Sequence, residues 1–165
     1  MRGRRPELFS DSIIVQTPTI TREQLEYQLE TLTARKLETA FEHFCRELAQ
    51  REICPNLIPQ TGPTGGGDSK VDSETYPVSD EISLRWYHAE AEQAGKKRWA
   101  FAFSAKKDWA GKVRSDVRGI AETRRHYDLV YFISSQFVPD KQRAAKEEQL
   151  SAEFGIPLRI LDRSW

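Results

Sequence analysis

Apolar positions along the chain follow two different rhythms. From Thr21 onward, Leu25, Leu29, Leu32, Leu37, Phe41, Phe44, Cys45 and Leu48 recur at near-helical spacing. Residues three and four apart share a helix face, so this pattern predicts helix over 21–52, either as one piece or as two with a break near Thr33. Thr21 followed three residues later by Gln24 has the form of a capping box at the helix start. Cys54-Pro55 stops the helical run, because the residue before a proline is pushed out of the helical region. The glycine- and proline-rich residues 59–67 read as loop.

The rhythm then shortens. The Val, Thr and Tyr content of residues 68–78 predicts a strand, with Pro77 near its end or at a bulge. Residues 80–95 read as a helix, with Asp80 as its cap and Gly95 as its stop. Residues 99–104, WAFAFS, alternate large and small side chains, as in a strand packed loosely on one face and tightly on the other. Residues 108–124 predict an amphipathic basic helix with Val113, Val117 and Ile120 inward. Residues 128–134 are almost continuously apolar, as expected of a strand covered on both faces. A polar helix over 139–154 closes at Gly155, and a last strand spans 157–161. Strand–helix–strand repeats favour parallel neighbours, so the expected class is α/β: a mixed sheet flanked by helices.

Composition narrows the class further. The 165 residues are 38% hydrophobic and 30% charged, which suits one globular domain large enough to bury a core. No apolar run reaches the roughly 20 residues of a membrane-spanning helix, and the basic start MRGRRPELFSDS lacks the apolar stretch of a secretory signal. Residues 1–20 read as a flexible arm and 21–165 as the domain. Cys45 and Cys54 suggest no disulfide framework and read as buried small residues of a cytoplasmic protein. His43, His88 and His126 are scattered without the spacing of a zinc site.

The zero formal net charge hides a local asymmetry. Between Lys96 and Arg118 there are eight basic side chains and only two acidic ones, Asp108 and Asp116. Such a segment is either a solvated helix face or a phosphate-binding strip. Three further features carry potential chemistry. After Gly65-Gly66-Gly67, the carboxylates Asp68, Asp72 and Glu74 crowd a strand start, with Asp72 and Glu74 on one face. Like charges held together favour a bound cation, and carboxylate oxygens suit Mg²⁺ or Mn²⁺. At the exit of the 99–104 strand stand Ser104, Ala105 and Lys106, and Lys106 either snorkels to solvent or faces a ligand. Glu42 flanks the apolar stripe of the first helical region and points either to solvent or toward those carboxylates.

Taken in order, Glu42 on a helix, the run from Gly65 to Asp72, and Ser104-Ala105-Lys106 at a strand exit resemble the PD-(D/E)xK nucleases, and most closely their Mrr-like branch. The resemblance covers about residues 36–165. It implies a restriction-endonuclease-like mixed sheet and hydrolysis of DNA phosphodiester bonds with Mg²⁺ (or Mn²⁺). Asp72, Asp68, Glu42 and the Ala105 carbonyl would be metal ligands, with Asp72, Lys106, Glu42 and Ser104 as the catalytic set. Lys107, Lys112, Arg114 and Arg118 would bind flanking phosphates of double-stranded DNA. This sequence departs from the pattern at Ser104, where the family carries an acidic or amide residue, so the second carboxylate falls to Glu42, Asp68 or Glu74. Asp72 is preferred over Asp68 as the main ligand because Val71-Asp72 reads as a strand entry. The departure at Ser104 also keeps open an inactive nuclease-like module that binds DNA or a partner protein. By analogy with such domains, the chain is expected to be the N-terminal effector of an anti-phage defence protein. A C-terminal sensor or ATPase region would follow it in a longer, homo-oligomeric protein.

Overall fold

The computed structural model of the chain describes residues 19–59, 71–79 and 95–165. The arm expected over residues 1–20 lies almost wholly outside these residues. So do the glycine-rich loop, Asp68 and nearly all of the helix expected at 80–95.

The long helical region is two helices, α1 (Arg22–Glu30) and α2 (Glu38–Glu52). The capping box closes α1 as expected: the Gln24 backbone donates to Thr21 Oγ1 at 3.3 Å, and the Thr21 backbone donates to Gln24 Oε1 at 2.9 Å. Between the helices the chain turns sharply, with Lys36 in the left-handed region at φ 56°. A short strand β1 (Leu57–Pro59) follows, which the apolar pattern does not predict and whose last residue falls in the expected 59–67 loop. It pairs antiparallel with β2 (Ser73–Thr75), shorter than the strand expected over 68–78, whose first three residues lie outside the described ones; the chain leaves the ladder before Pro77.

The remaining elements follow the expected order. They are β3 (Trp99–Ser104), α3 (Trp109–Glu122), β4 (Leu129–Ser134), α4 (Asp140–Phe154) and β5 (Leu158–Leu161). The Asp108 side chain caps α3 by accepting from the Gly111 backbone at 3.0 Å. Gly155 ends α4 at φ 68°, a left-handed position that costs glycine least.

The five strands form one mixed sheet in the order β1-β2-β3-β4-β5. β2 runs antiparallel to β3, while β3, β4 and β5 are mutually parallel, joined through α3 and α4. Helices cover both faces. On one, Phe41, Cys45 and Ala49 of α2 pack with Trp99, Phe101, Phe103, Tyr131 and Ile133. On the other, Val113, Val117 and Ile120 of α3 and Leu150 of α4 pack with Ala100, Ala102, Val130 and Phe132. The large–small alternation of β3 therefore sorts its aromatics toward α2 and its alanines toward α3, which can approach the sheet closely. Both cysteines are buried and unpaired, and burial pushes the Cys54 thiol up to about 12. Among the described residues, no helix is long and apolar enough to cross a membrane.

Candidate functional site

Asp72 stands where β2 meets the middle of the sheet. Its backbone N–H donates to the Phe101 carbonyl at 2.9 Å. Its side chain then takes a place that a strand carbonyl would otherwise fill, accepting from the Phe103 N–H at 2.6 Å. The carboxylate is thereby pinned to β3 just before that strand ends.

Helix α2 supplies the second acid. Its apolar stripe lies on the aromatics of β3, which turns the neighbouring positions toward β2. One turn beyond Glu42, Arg46 donates to Ser73 Oγ at 3.0 Å and ties the helix to the strand that carries Asp72. Glu42 and, one turn earlier, Glu38 then line a pocket of about 290 Å³ together with Phe41, Asp72, Phe103, Ser104, Ala105, Lys106 and Lys112. Three of the four residues expected to act together as carboxylates and lysine, Asp72, Glu42 and Lys106, are thus on one wall system. Asp68 lies outside the described residues.

The electrostatics of the pocket leave Asp72 short of positive charge. Burial pushes its carboxyl up to about 6 from an ordinary 3.8; the Phe103 N–H pulls it back, Glu42 and Asp116 push it further up, and Lys112 opposes them. A divalent cation would relieve this imbalance. Among the described residues no three acidic, histidine or cysteine side chains gather as a metal cage. Asp72 and Glu42, both lining the pocket, nevertheless suit Mg²⁺, which commonly keeps several waters and takes one or two protein carboxylates plus substrate phosphate oxygens.

Several expected residues sit differently. The Ala105 carbonyl is already engaged, accepting from Thr33 Oγ1 and from Gln136 Nε2, each at 3.2 Å, so it is not a free ligand for a metal. Ser104 is buried, and its hydroxyl accepts from the Lys106 N–H at 3.2 Å, shaping the turn that presents Lys106. Lys106 and Lys107 are exposed, but only Lys106 reaches the pocket. Arg114, expected to bind phosphate, pairs with Glu153 of α4 at 2.6 Å. Arg118 is exposed on α3. Lys112 is not on the flank either: it enters the pocket.

Nor do the eight basic side chains of the 96–118 segment form one strip. Arg98 lies before the first residue of β3 and Lys106 beyond its last, so the length of that strand, about 17 Å at a strand's rise per residue, separates them. Arg98 is used in a separate cluster around Glu74. That carboxylate, 7% exposed, accepts from Arg98 at 3.0 and 3.2 Å, from the Tyr127 hydroxyl at 2.6 Å and from Arg125 at 3.5 Å. Burial opposes its ionisation, but Tyr127, Arg98 and Arg125 outweigh that and hold the carboxyl below its usual range. Tyr127 itself is pushed up to about 12, by burial first and then by Glu74. Glu74 is therefore a structural clamp between β2 and the start of β4, not a second metal carboxylate.

The clamp has a measurable consequence. Glu74→Gln leaves two guanidinium groups facing a neutral amide and should destabilise the fold by roughly 1–3 kcal/mol at pH 7. Because the native carboxyl is held low, its contribution is present above an ordinary value of 4.5 and disappears as pH falls through the folded value. Thermal melts of the two proteins should converge on acidification below about that point; a constant gap would rule out the ionised clamp.

The residue that pattern reading passed over is Asp116. It is 1% exposed and pairs with Lys112 at 2.5 Å. Its signal was present in the sequence, since it falls on the inward stripe of Val113, Val117 and Ile120. A larger groove of about 340 Å³ lies between α1, α2 and the end of the chain. Its walls are mainly apolar and its charges are satisfied: Arg22 pairs with Glu26, Arg163 with Glu30, and Asp162 accepts from Val138 and Ser164. The chemistry-bearing pocket is the smaller one. Comparison of the chain with protein-family models, with curated proteins and with solved structures finds no match.

Proposed function

We propose that the chain is a metal-dependent nuclease domain of the PD-(D/E)xK kind, hydrolysing phosphodiester bonds of double-stranded DNA at the pocket of Asp72, Glu42 and Lys106. The observation that carries this reading is the meeting of these three side chains. They come from a helix, a strand start and a strand exit separated by tens of residues, and they line one open pocket. The charge shortfall at Asp72 adds support.

Asp72 and Glu42 would hold Mg²⁺ or Mn²⁺. Such an ion, when bound, acidifies water and offsets charge developing on the phosphate. The chain supplies the rest. The Phe103 N–H fixes one oxygen of Asp72 and leaves the other for the ligand. Phe41 and Phe103 exclude water from one side of the pocket and strengthen the fields within it. Lys106, presented by the Ser104 turn, would donate to a non-bridging phosphate oxygen and stabilise the charge that builds on it. Lys107 and Arg118, both exposed, would bind flanking phosphates with a salt-dependent affinity.

The test is cleavage of supercoiled plasmid with Mg²⁺, Mn²⁺ or EDTA, over a range of protein concentrations. Nicking or linearisation should require metal. It should fall by roughly 10²–10³ in Lys106→Ala, the range seen when one donor to a developing anion is removed. Glu42→Gln should shift the Mg²⁺ concentration needed for half-maximal rate upward. Wild-type protein that leaves plasmid intact with every metal and concentration would sink the nuclease reading.

One observation favours a second reading, an inactive module that binds DNA or a protein partner. Ser104 occupies the position of a carboxylate ligand, and its hydroxyl is engaged with the turn. That reading predicts salt-sensitive duplex binding that neither needs metal nor changes in Asp72→Asn.

A further inference from the structure

Two lysines, not one, enter the pocket. Lys106 arrives from the exit of β3 and is exposed. Lys112 arrives from α3, which begins at Trp109 behind the Asp108 cap and brings its first turn back over the end of β3. It lines the same walls as Asp72, Glu42 and Lys106.

The two lysines differ in how they are held. The Lys112 ammonium lies 2.5 Å from Asp116 Oδ1, with the lysine side chain 21% exposed and that of Asp116 only 2%. An ordinary helix pair at this spacing keeps both ends in water and contributes little. Here the carboxylate is in the core beside Val113, Val117 and Ile120, on the face that packs against Ala100 and Ala102. Buried carboxylates are costly unless they are paired. The ammonium is thus tethered from below, at the edge of a pocket with acidic walls. The electrostatic influence of Lys112 on Asp72 is consistent with that placement.

We propose that Asp116 is a positioning residue that fixes Lys112 as a phosphate-binding cation of this pocket. Lys112 would take an anionic oxygen of the phosphodiester from the α3 side, while Lys106 takes one from the strand exit. The inference rests on the nuclease reading for the identity of the ligand. It goes beyond that reading in assigning a fixed, helix-borne lysine and a buried partner that orients it. A tethered lysine meets its phosphate with less loss of side-chain freedom than a solvated one, so the anchor should matter even though it touches no substrate.

The experiment compares wild type with Lys112→Met/Asp116→Leu, Asp116→Asn and Lys112→Arg. The double replacement removes both charges together, because well-packed apolar residues often substitute for a buried pair without loss of stability, and thermal melts check that it folds. Binding of a fluorescent 12-base-pair duplex is measured in EDTA across a salt series, and single-turnover cleavage with Mg²⁺ alongside. Loss of one phosphate contact should flatten the slope of log affinity against log salt by about 0.9 in the double variant. Asp116→Asn keeps the lysine charge, so its slope should stay near wild type while its cleavage rate drops about 10-fold. Lys112→Arg should restore the slope.

An unchanged slope in a folded double variant would overturn the inference and leave the nuclease reading standing if the wild type cleaves. A flattened slope without cleavage by wild type would keep the contact and discard the nuclease. Wild-type protein that does not bind the duplex in EDTA would overturn the inference, and one that also fails to cleave with Mg²⁺ would overturn both. A slope that flattens equally in Asp116→Asn would also count against the assignment, since it would show the aspartate maintaining the fold and not the lysine's position.

Discussion

On the nuclease reading proposed above, Asp72→Asn is expected to lower metal-dependent phosphodiester hydrolysis by roughly 10²–10³-fold while making the metal-free protein more stable at neutral pH. The two effects have one cause. In the native chain the Asp72 carboxyl titrates at about 6 against an ordinary 3.8, chiefly because it is buried, with Glu42 and Asp116 adding to the penalty. Between those values the folded protein holds a proton that the unfolded chain has released, so stability falls as pH rises through the window. The full shift corresponds to about 3 kcal/mol as an upper bound. Asparagine has the same shape and retains an oxygen for the Phe103 N–H, but it carries no charge.

In EDTA, therefore, Asp72→Asn should melt above wild type at pH 7–8, and the difference should vanish near pH 4. Added Mg²⁺ should raise the wild-type melting temperature, since a ligand of the native state stabilises it, and leave the variant unmoved. Activity retained in Asp72→Asn would remove Asp72 from the chemistry. A variant that melts below wild type in EDTA at pH 8 would show the carboxylate stabilising the fold, the opposite of what its surroundings predict.

Phe101→Ala is the substitution expected to cost most in stability, about 3–5 kcal/mol in equilibrium urea unfolding. Phe101 is fully buried in β3, with Ser73 of β2 on one side and Tyr131 of β4 on the other. Its ring stacks on that of Tyr131 with centroids 4.9 Å apart and planes 12° from parallel, and lies 6.5 Å from Phe103. Its backbone carbonyl also receives the Asp72 N–H, so slack at this point reaches the pocket directly. The matched control is Phe137→Ala, where the ring is 57% exposed and the change should stay within about 0.5 kcal/mol. Equal losses at the two positions would show that the aromatic layer under α2 is not the centre of the core.

The elements after residue 99 were open to reading because each is a local response to burying a face. WAFAFS alternates since its two faces meet layers of different depth. The 129–134 strand is continuously apolar since α2 covers one side and α3 with α4 the other. Parallel pairing of β3, β4 and β5 follows from the helical crossovers between them. Caps and stops are local as well: Thr21 with Gln24, Asp108 and Gly155 all act within four residues of themselves. β1, by contrast, has three residues and only its first is buried, so it carried no periodic signal and exists because β2 offers it an edge.

The candidate site divides in the same way. That Asp72 leads into a strand, that Lys106 leaves one and that Glu42 flanks an apolar helix stripe were all determined by the sequence. Their meeting in one pocket was decided by the docking of α2 on β2 and β3, through contacts such as Arg46 with Ser73. Alternation predicted that Asp72 and Glu74 would share one face, and it could not say which would meet a cation. Arg98, Arg125 and Tyr127, which are 24, 51 and 53 residues further along, took Glu74, while Asp72 was left facing the pocket. Periodicity records which side of an element is dry, because burial of a face is repeated at every turn or pleat. The partner of a charged group is set by single contacts between distant segments, which leave no repeating trace along the chain, and so only the tertiary structure assigned the partners of Glu74, Lys112 and Asp116.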